Sequence, residues 1–253
     1  MTASRLSLLG VRVTAFDLPA AAAEMQAAVA AGERAYACTC PVYTLMQGHE
    51  RPEVRAALNG ARWVTPDGMP VVWALRRLGA RDVGRVYGPD LLLALSALAA
   101  QHGTPQFYLG GGPGVAETLA ANLQQRFPGL AVAGTAAPPY RELSAAEDAA
   151  LVEQLNASGA AVVWVGLGSP KQDLWMARFR PRLAAPLLVG VGAAFDFFTG
   201  RQRQAPRWAQ RSGLEWLFRL VSHPGRLWRR YLIYNPKFVW RLGLQLCGLR
   251  RYD

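Results

Sequence analysis

Nowhere in this chain of 253 residues do about 18 apolar residues run together without a charge, so no membrane-spanning helix is expected. Cysteine is scarce. Cys38, Cys40 and Cys247 are odd in number and too few for a disulfide framework. Cys38 and Cys40, two positions apart in an expected strand, face the same side of a sheet, but no second pair of metal ligands accompanies them. The three histidines, His49, His102 and His223, are scattered and are expected to be structural or solvated. There is no Asp-x-Asp pair for a metal-bound nucleotide diphosphate, no Walker A loop and no GxGxxG. No Ser/His/Asp set assembles from spacing, and Ser169, followed by Pro170, lacks the nucleophile-elbow pattern. The opening MTASRLSLLGVRV lacks the apolar core and cleavage site of a signal peptide, which points to the cytosol.

Acidic residues are also nearly absent from the last fifty-three positions. From Arg201 to Asp253, eleven Arg and one Lys face only Glu215 and Asp253, a net of +10. The whole chain carries +11, so the first 200 residues are close to neutral. Trp208, Trp216, Trp228, Trp240, Phe218, Phe238, Tyr231 and Tyr234 lie among these arginines. Basic and aromatic residues interleaved in this way suit an anionic partner with a greasy component.

What is present is a 51% hydrophobic chain with the pattern of an α/β fold. Expected strands are Leu8–Val13, Ala35–Thr39, Trp63–Thr65, Gln106–Leu109, Leu130–Gly134, Ala161–Val165 and Leu187–Val191. Most are short apolar runs, as in strands buried on both faces. Expected helices are Pro19–Ala31, Pro52–Asn59, Met69–Leu78, Asp90–Gln101, Val115–Phe127, Ser144–Ala157 and Gln172–Ala177, the sixth opened by a Ser144/Glu147 capping box. Such alternation predicts a Rossmann-like core with a mainly parallel sheet. The composition changes at Thr199–Pro206, giving an α/β core over 1–199 and a small, helical, basic appendage over 200–253. In the appendage Gly213–Ser222, Arg226–Tyr234 and Phe238–Leu246 read as short helices broken by Pro224 and Pro236.

In such a sheet ligands bind in the loops that leave the strands' carboxyl ends. Four of these loops combine glycine with polar groups: Thr65–Gly68, Gly110–Gly114, Val165–Gln172 and Val191–Asp196. Glycines let backbone amides approach a phosphate, and Lys171 adds a point charge. Each loop is also compatible with a tight turn that binds nothing. Asp67 reads either as the cap of the Met69–Leu78 helix or as a general base, and a helix N-terminus beside it would keep it ionised. Asp196 shares the ambiguity.

Several ordered motifs carry a resemblance. Thr65-Pro66-Asp67-Gly68-Met69 is followed by Val72-Trp73, then Val165-Gly166-Leu167-Gly168-Ser169-Pro170-Lys171-Gln172-Asp173 and Val191-Gly192-Ala193-Ala194-Phe195-Asp196-Phe197. Arg203-x-Ala205-Pro206-Arg207-Trp208 and Gly213-Leu214-Glu215-Trp216-Leu217-Phe218-Arg219-Leu220 complete the set. Over essentially its whole length the chain resembles the WecG/TagA/CpsF glycosyltransferases. The resemblance implies an inverting, metal-independent enzyme with no cofactor. It would move a hexose or N-acetylhexosamine from a UDP-sugar to an undecaprenyl-diphosphate-linked saccharide, at the inner face of an anionic membrane, for surface or exopolysaccharide synthesis.

By motif, Asp67 matches the catalytic base, Thr39 the threonine near the donor, and Gln172 the glutamine of the donor or acceptor loop. Arg219, Arg226 and Arg229 match arginines expected on the diphosphates. Lys171, Gly110, Gly166, Gly168 and Asp196 complete the binding residues expected from the loops. The chain departs from the family pattern at Pro41, where an Asn is usual, and at His223, where an acid is usual. A homo-oligomer is compatible with all of this. A nucleic-acid-binding protein and a non-catalytic scaffold of a polysaccharide assembly are the alternatives. The tail's leucines and the glycine loops favour a lipid diphosphate over nucleic acid.

Overall fold

The computed structural model describes residues 3–252, apart from the side chain of Arg226. The fold is α/β, with a six-stranded parallel sheet flanked by helices and followed by C-terminal helices. The strands are β1 (Arg5–Leu8), β2 (Val11–Thr14), β3 (Ala35–Cys40), β4 (Trp63–Pro66), β5 (Gln106–Gly110), β6 (Val132–Ala136), β7 (Val162–Gly166) and β8 (Leu187–Gly190). The large sheet has the order β4-β3-β8-β7-β5-β6. Its register sets Ala35 opposite Leu187, Val162 opposite Leu187, and Gln106 opposite both Val162 and Val132. Residues of β3, β4, β5 and β8 are buried throughout, which is why those strands read as mainly apolar runs, with Thr39, Thr65 and Gln106 as buried polar exceptions.

The helices are α1 (Leu18–Ala30), α2 (Val42–Glu50), α3 (Pro52–Gly60), α4 (Met69–Arg77), α5 (Gly88–His102), α6 (Val115–Arg126), α7 (Ala145–Ala157) and α8 (Lys171–Phe179). They continue with α9 (Ala194–Phe198), α10 (Arg207–Arg211), α11 (Glu215–Ser222), α12 (Pro224–Trp228) and α13 (Tyr234–Leu246). A π turn, Arg229–Ile233, joins the last two. The Ser144/Glu147 capping box forms as the sequence predicts: the Ser144 hydroxyl accepts from the Glu147 amide at 3.2 Å, and the Glu147 carboxylate accepts from the Ser144 amide at 2.8 Å.

Three local expectations change. The single strand expected over Leu8–Val13 is a hairpin, because Leu9 and Gly10 take φ of 53° and 86° and reverse the chain in two residues. Helix α2 was hidden by its own composition: its buried positions include Thr44, Gln47 and Gly48, which carry no apolar period. Pro224 separates α11 from α12 as expected, but Pro236 does not break a helix, because it lies in the first turn of α13, where no amide donor is needed.

The chain forms two compact units. One comprises residues 1–18, 39–87 and 204–253, and the other 19–38 and 88–203. The chain passes from one unit to the other between Arg203 and Gln204. The basic segment nevertheless does not stand apart from 1–199 as a separate appendage. It shares a unit with two earlier segments, because its buried face belongs to them. Leu227, Tyr231 and Phe238 are buried, and Tyr234 meets Tyr43 of α2 edge to face at 5.1 Å. Gln245 accepts from the Leu9 amide at 3.0 Å and donates to the Ser7 carbonyl at 2.9 Å, and Lys237 pairs with Glu50 at 2.8 Å.

The other unit closes on Trp164, Tyr108, Phe107, Phe179 and Phe195, all essentially inaccessible. Inside it, the Gln106 carbonyl accepts from Ser96, Tyr108 and Trp164 at 3.1, 2.7 and 2.9 Å. Buried polar groups on three elements are thereby satisfied by one acceptor.

Candidate active site

Strand β4 delivers the chain to Asp67. The Asp67 amide donates to the Cys40 carbonyl at 3.4 Å, and Gly68 then turns the backbone at φ 109°, a region open to glycine. Gly68 itself is the cap of α4, with no side chain bonding the free amides, so Asp67 does not serve as the cap its position suggested. The segment Val83–Tyr87 runs beside the end of β4, because the Val86 amide donates to the Pro66 carbonyl at 2.9 Å and Arg76 holds the Val83 carbonyl, also at 2.9 Å. This brings Arg85 and Tyr87 to Asp67. Helix α11 contributes Glu215 and Arg219, one turn apart and therefore on one face. Its start is seated by Gly213, where a Cβ would come within 2.6 Å of the Trp73 ring. The π turn contributes Arg230.

Arg85 is the hub of this cluster. Its Nη2 makes a very short ion pair with Glu215 Oε2 and lies 3.8 Å from Asp67 Oδ1, while Nη1 donates to Gln210 at 3.4 Å. The guanidinium sits over the Tyr87 ring at 3.9 Å, and Arg219 Nη1 is 3.9 Å from the other Glu215 oxygen. The four charged side chains are 13–17% exposed. Arg230 lies over the Tyr43 ring at 4.5 Å, and its buried Nε has no hydrogen-bond partner among the described residues.

Burial pushes the Asp67 carboxyl up to about 6; Arg85 pulls it back, Glu215 pushes it further, and Arg219 and Arg230 pull it back as well. The helix N-terminus expected to keep Asp67 ionised is outweighed by the loss of water. Burial, Glu215 and Asp67 also drive the Tyr87 hydroxyl well above the ordinary phenol range. That hydroxyl is buried with no hydrogen-bond partner among the described residues and keeps its proton. The cluster thus offers a carboxylate that can take a proton near neutral pH, with three guanidinia against two carboxylates to stabilise added negative charge.

The remaining sequence candidates divide between the two units. Thr39 is buried at the end of β3, in the same unit as Asp67. The side chain of Arg226 lies outside the described residues. Arg229 is exposed and sits over Trp228 at 5.3 Å, so the residue that enters the cluster is its neighbour Arg230. Both arginines lie at the start of the π turn. Gln172, Lys171, Gly110, Gly166, Gly168 and Asp196 belong to the other unit. Gln172 is buried and ties two loops, accepting from the Gly192 amide at 3.0 Å and donating to the Ser169 hydroxyl at 3.3 Å. Lys171 is exposed, its ammonium 4.3 Å from the Tyr140 ring centre. Gly110 and Gly166 have packing reasons for being glycine, since a Cβ at Gly110 would stand 2.7 Å from the Gly166 backbone and one at Gly166 would stand 2.8 Å from Phe195. Gly168 turns at φ 76° with open space beside it. Asp196 accepts from Gln202 at 2.6 Å.

A profile of the glycosyl transferase WecG/TagA/CpsF family matches residues 6–252, nearly the whole chain. The chain belongs to this family. It is therefore a glycosyltransferase of cell-surface polysaccharide synthesis, with a sugar donor and an acceptor as its substrates. Among the described residues no three His, Cys, Asp or Glu side chains cluster to hold a metal ion, and no helix is long and apolar enough to cross a membrane. Sequence reasoning overlooked Arg85, Tyr87, Glu215 and Arg230. Only Glu215 gave a signal, as one of two acids among twelve bases. It also overlooked Asp173, whose fully buried carboxyl is pushed up to about 6, chiefly by burial, with Ser169 and Cys38 pulling it back.

Proposed function

We propose that the enzyme is an inverting, metal-independent transferase that uses a UDP-sugar as donor and an undecaprenyl-diphosphate-linked saccharide as acceptor, with Asp67 as general base. The observation that carries this reading is the Asp67 carboxyl itself: 15% exposed, free of any hydrogen bond among the described residues, and with a pKa of about 6. In the reaction Asp67 takes the proton of the acceptor hydroxyl as that oxygen attacks the anomeric carbon. The bond from that carbon to the donor's phosphate oxygen breaks, and UDP leaves with the electron pair. Arg219 and Arg230, with Arg226 and Arg229 as further candidates, offset the charge gathering on diphosphate. Thr39, Gln172, Lys171, Gly110, Gly166, Gly168 and Asp196 remain candidates for substrate contacts. The expectation of chemistry without a metal rests on the family resemblance, with which the missing Asp-x-Asp motif agrees.

The same chain docks peripherally on an anionic bilayer at its cytoplasmic face. Trp208, Val239 and Trp240 are each 67% exposed and Val221 74%, within a segment of net charge +10. Exposed tryptophan among arginines suits an anionic lipid interface.

A donor screen with a short-chain lipid-diphosphate sugar as acceptor tests the reaction, reading UDP release with and without EDTA. One UDP-sugar should give acceptor-dependent release that survives EDTA. Loss of release with EDTA would remove the metal-independent mechanism, and no turnover on any donor would leave a non-catalytic scaffold as the better account.

A further inference from the structure

We infer that Glu215 is a positioning residue that engages Arg85, so that Arg85 does not close on Asp67 and the Asp67 carboxylate stays free to accept a proton. The inference rests on Asp67 being the base, and its chemistry comes from an asymmetry within the cluster. One nitrogen, Arg85 Nη2, faces two carboxylates, and it is in tight contact with Glu215 but 3.8 Å from Asp67. The Asp67 carboxylate makes no hydrogen bond among the described residues, although Arg85, Arg219 and Arg230 all act on it electrostatically. Three cations near a carboxylate would ordinarily draw one of their donors into a short, charge-assisted pair, and an aspartate so paired is a poor base at neutral pH. Glu215 prevents this in two ways. It occupies Arg85 with one oxygen and stands 3.9 Å from Arg219 with the other.

Glu215 is also well placed to hold this arrangement. It is the first residue of α11, whose start is seated on Trp73 through Gly213, and Arg219 follows one turn later on the same face. Arg85 is fixed from behind by the Tyr87 ring and by Gln210, which is itself tied to the Ala205 carbonyl at 2.7 Å. Arg85 can therefore swing over only a short arc, with Glu215 at one end and Asp67 at the other. The charged and titratable groups that face Asp67 are thus Arg85 and Tyr87 from the segment after α4, Glu215 and Arg219 from α11, and Arg230 from the π turn. Of these, Glu215 is the one whose removal both deletes a neighbouring negative charge and releases a guanidinium.

The test is the titration of Asp67 in the full chain, followed by carboxyl carbon-13 NMR in the wild type, Glu215→Gln and the double variant Arg85→Gln/Glu215→Gln, without substrates. Glu215→Gln should lower the Asp67 midpoint by about one pH unit or more, the scale of an arginine closing on an aspartate. The double variant should bring the midpoint back to the wild-type value or above it. The acid limb of kcat/KM should move with the NMR midpoint, and turnover at neutral pH should fall. An Asp67 midpoint unchanged in a folded Glu215→Gln protein would overturn the inference. If Glu215→Gln does not fold, the double variant decides alone: a midpoint below that of the wild type contradicts Arg85 as the group held off. The base assignment fails separately. Near-normal turnover in Asp67→Asn would remove it, whatever the titrations show.

Discussion

Replacing Asp67 with Asn should make the protein more stable and nearly inactive at once. Asn is close to isosteric with the protonated acid and carries no charge. In the folded chain the Asp67 carboxyl titrates at about 6, against an ordinary value of 3.8. With ~1.4 kcal/mol for each pKa unit, ionising this buried group costs the folded state ~3 kcal/mol. The sign follows from proton counting. Between pH 4 and pH 6 the folded state binds more protons than the unfolded one, so this group's contribution makes stability fall as pH rises through that window. Above it the full cost persists, and below it the cost is gone. Asp67→Asn should therefore gain up to ~3 kcal/mol at pH 7.5 and almost nothing at pH 4. With urea slopes of about 1–3 kcal/mol/M, the midpoint should move up by about 1 M or more at pH 7.5. Transfer should fall at least about 100-fold, the scale of a lost general base. Paired urea titrations at the two pH values, with turnover on the same preparations, measure both effects. A variant no more stable than wild type at pH 7.5 would refute the argument that Asp67 is held as a costly buried carboxylate.

Asp173→Asn should also stabilise the protein at pH 7.5 and not at pH 4, because its buried carboxyl is raised to about 6 for the same chief reason; equal urea midpoints for variant and wild type at pH 7.5 would contradict this. Arg230→Ala should reduce kcat/KM at least about tenfold and more than Arg229→Ala, which removes an exposed guanidinium, and steady-state kinetics on purified variants would rank the two. Replacing Trp240 and Val239 together with Ser should weaken co-sedimentation with anionic liposomes at unchanged thermal stability, since both side chains are two-thirds exposed. RNA binding without liposome binding by the wild type would instead support a nucleic-acid partner.

Much of this protein is legible in its sequence because the relevant signals are local. A strand buried on both faces is a short apolar run, so the six sheet strands can be read within a few residues, and the Ser144/Glu147 box needs only residues three apart. The charge imbalance at residue 200 and the long motifs identify the family without any contact map. Asp67 stands out because it follows a strand and precedes Gly68 and a helix.

The three-dimensional fold decided what no window of residues contains. The basic segment, which composition sets apart, shares a unit with residues 1–18 and 39–87 because its apolar face is buried there. Arg230 rather than Arg229 is the inward guanidinium, and two adjacent arginines carry no mark in the sequence of which one faces in. Arg85 and Glu215 are 130 positions apart, and after burial they are the groups that act most on how Asp67 titrates. Sequence alone determines which residues can ionise. Their proton affinities depend on burial and on charges brought from distant positions, and these exist only once the chain is folded.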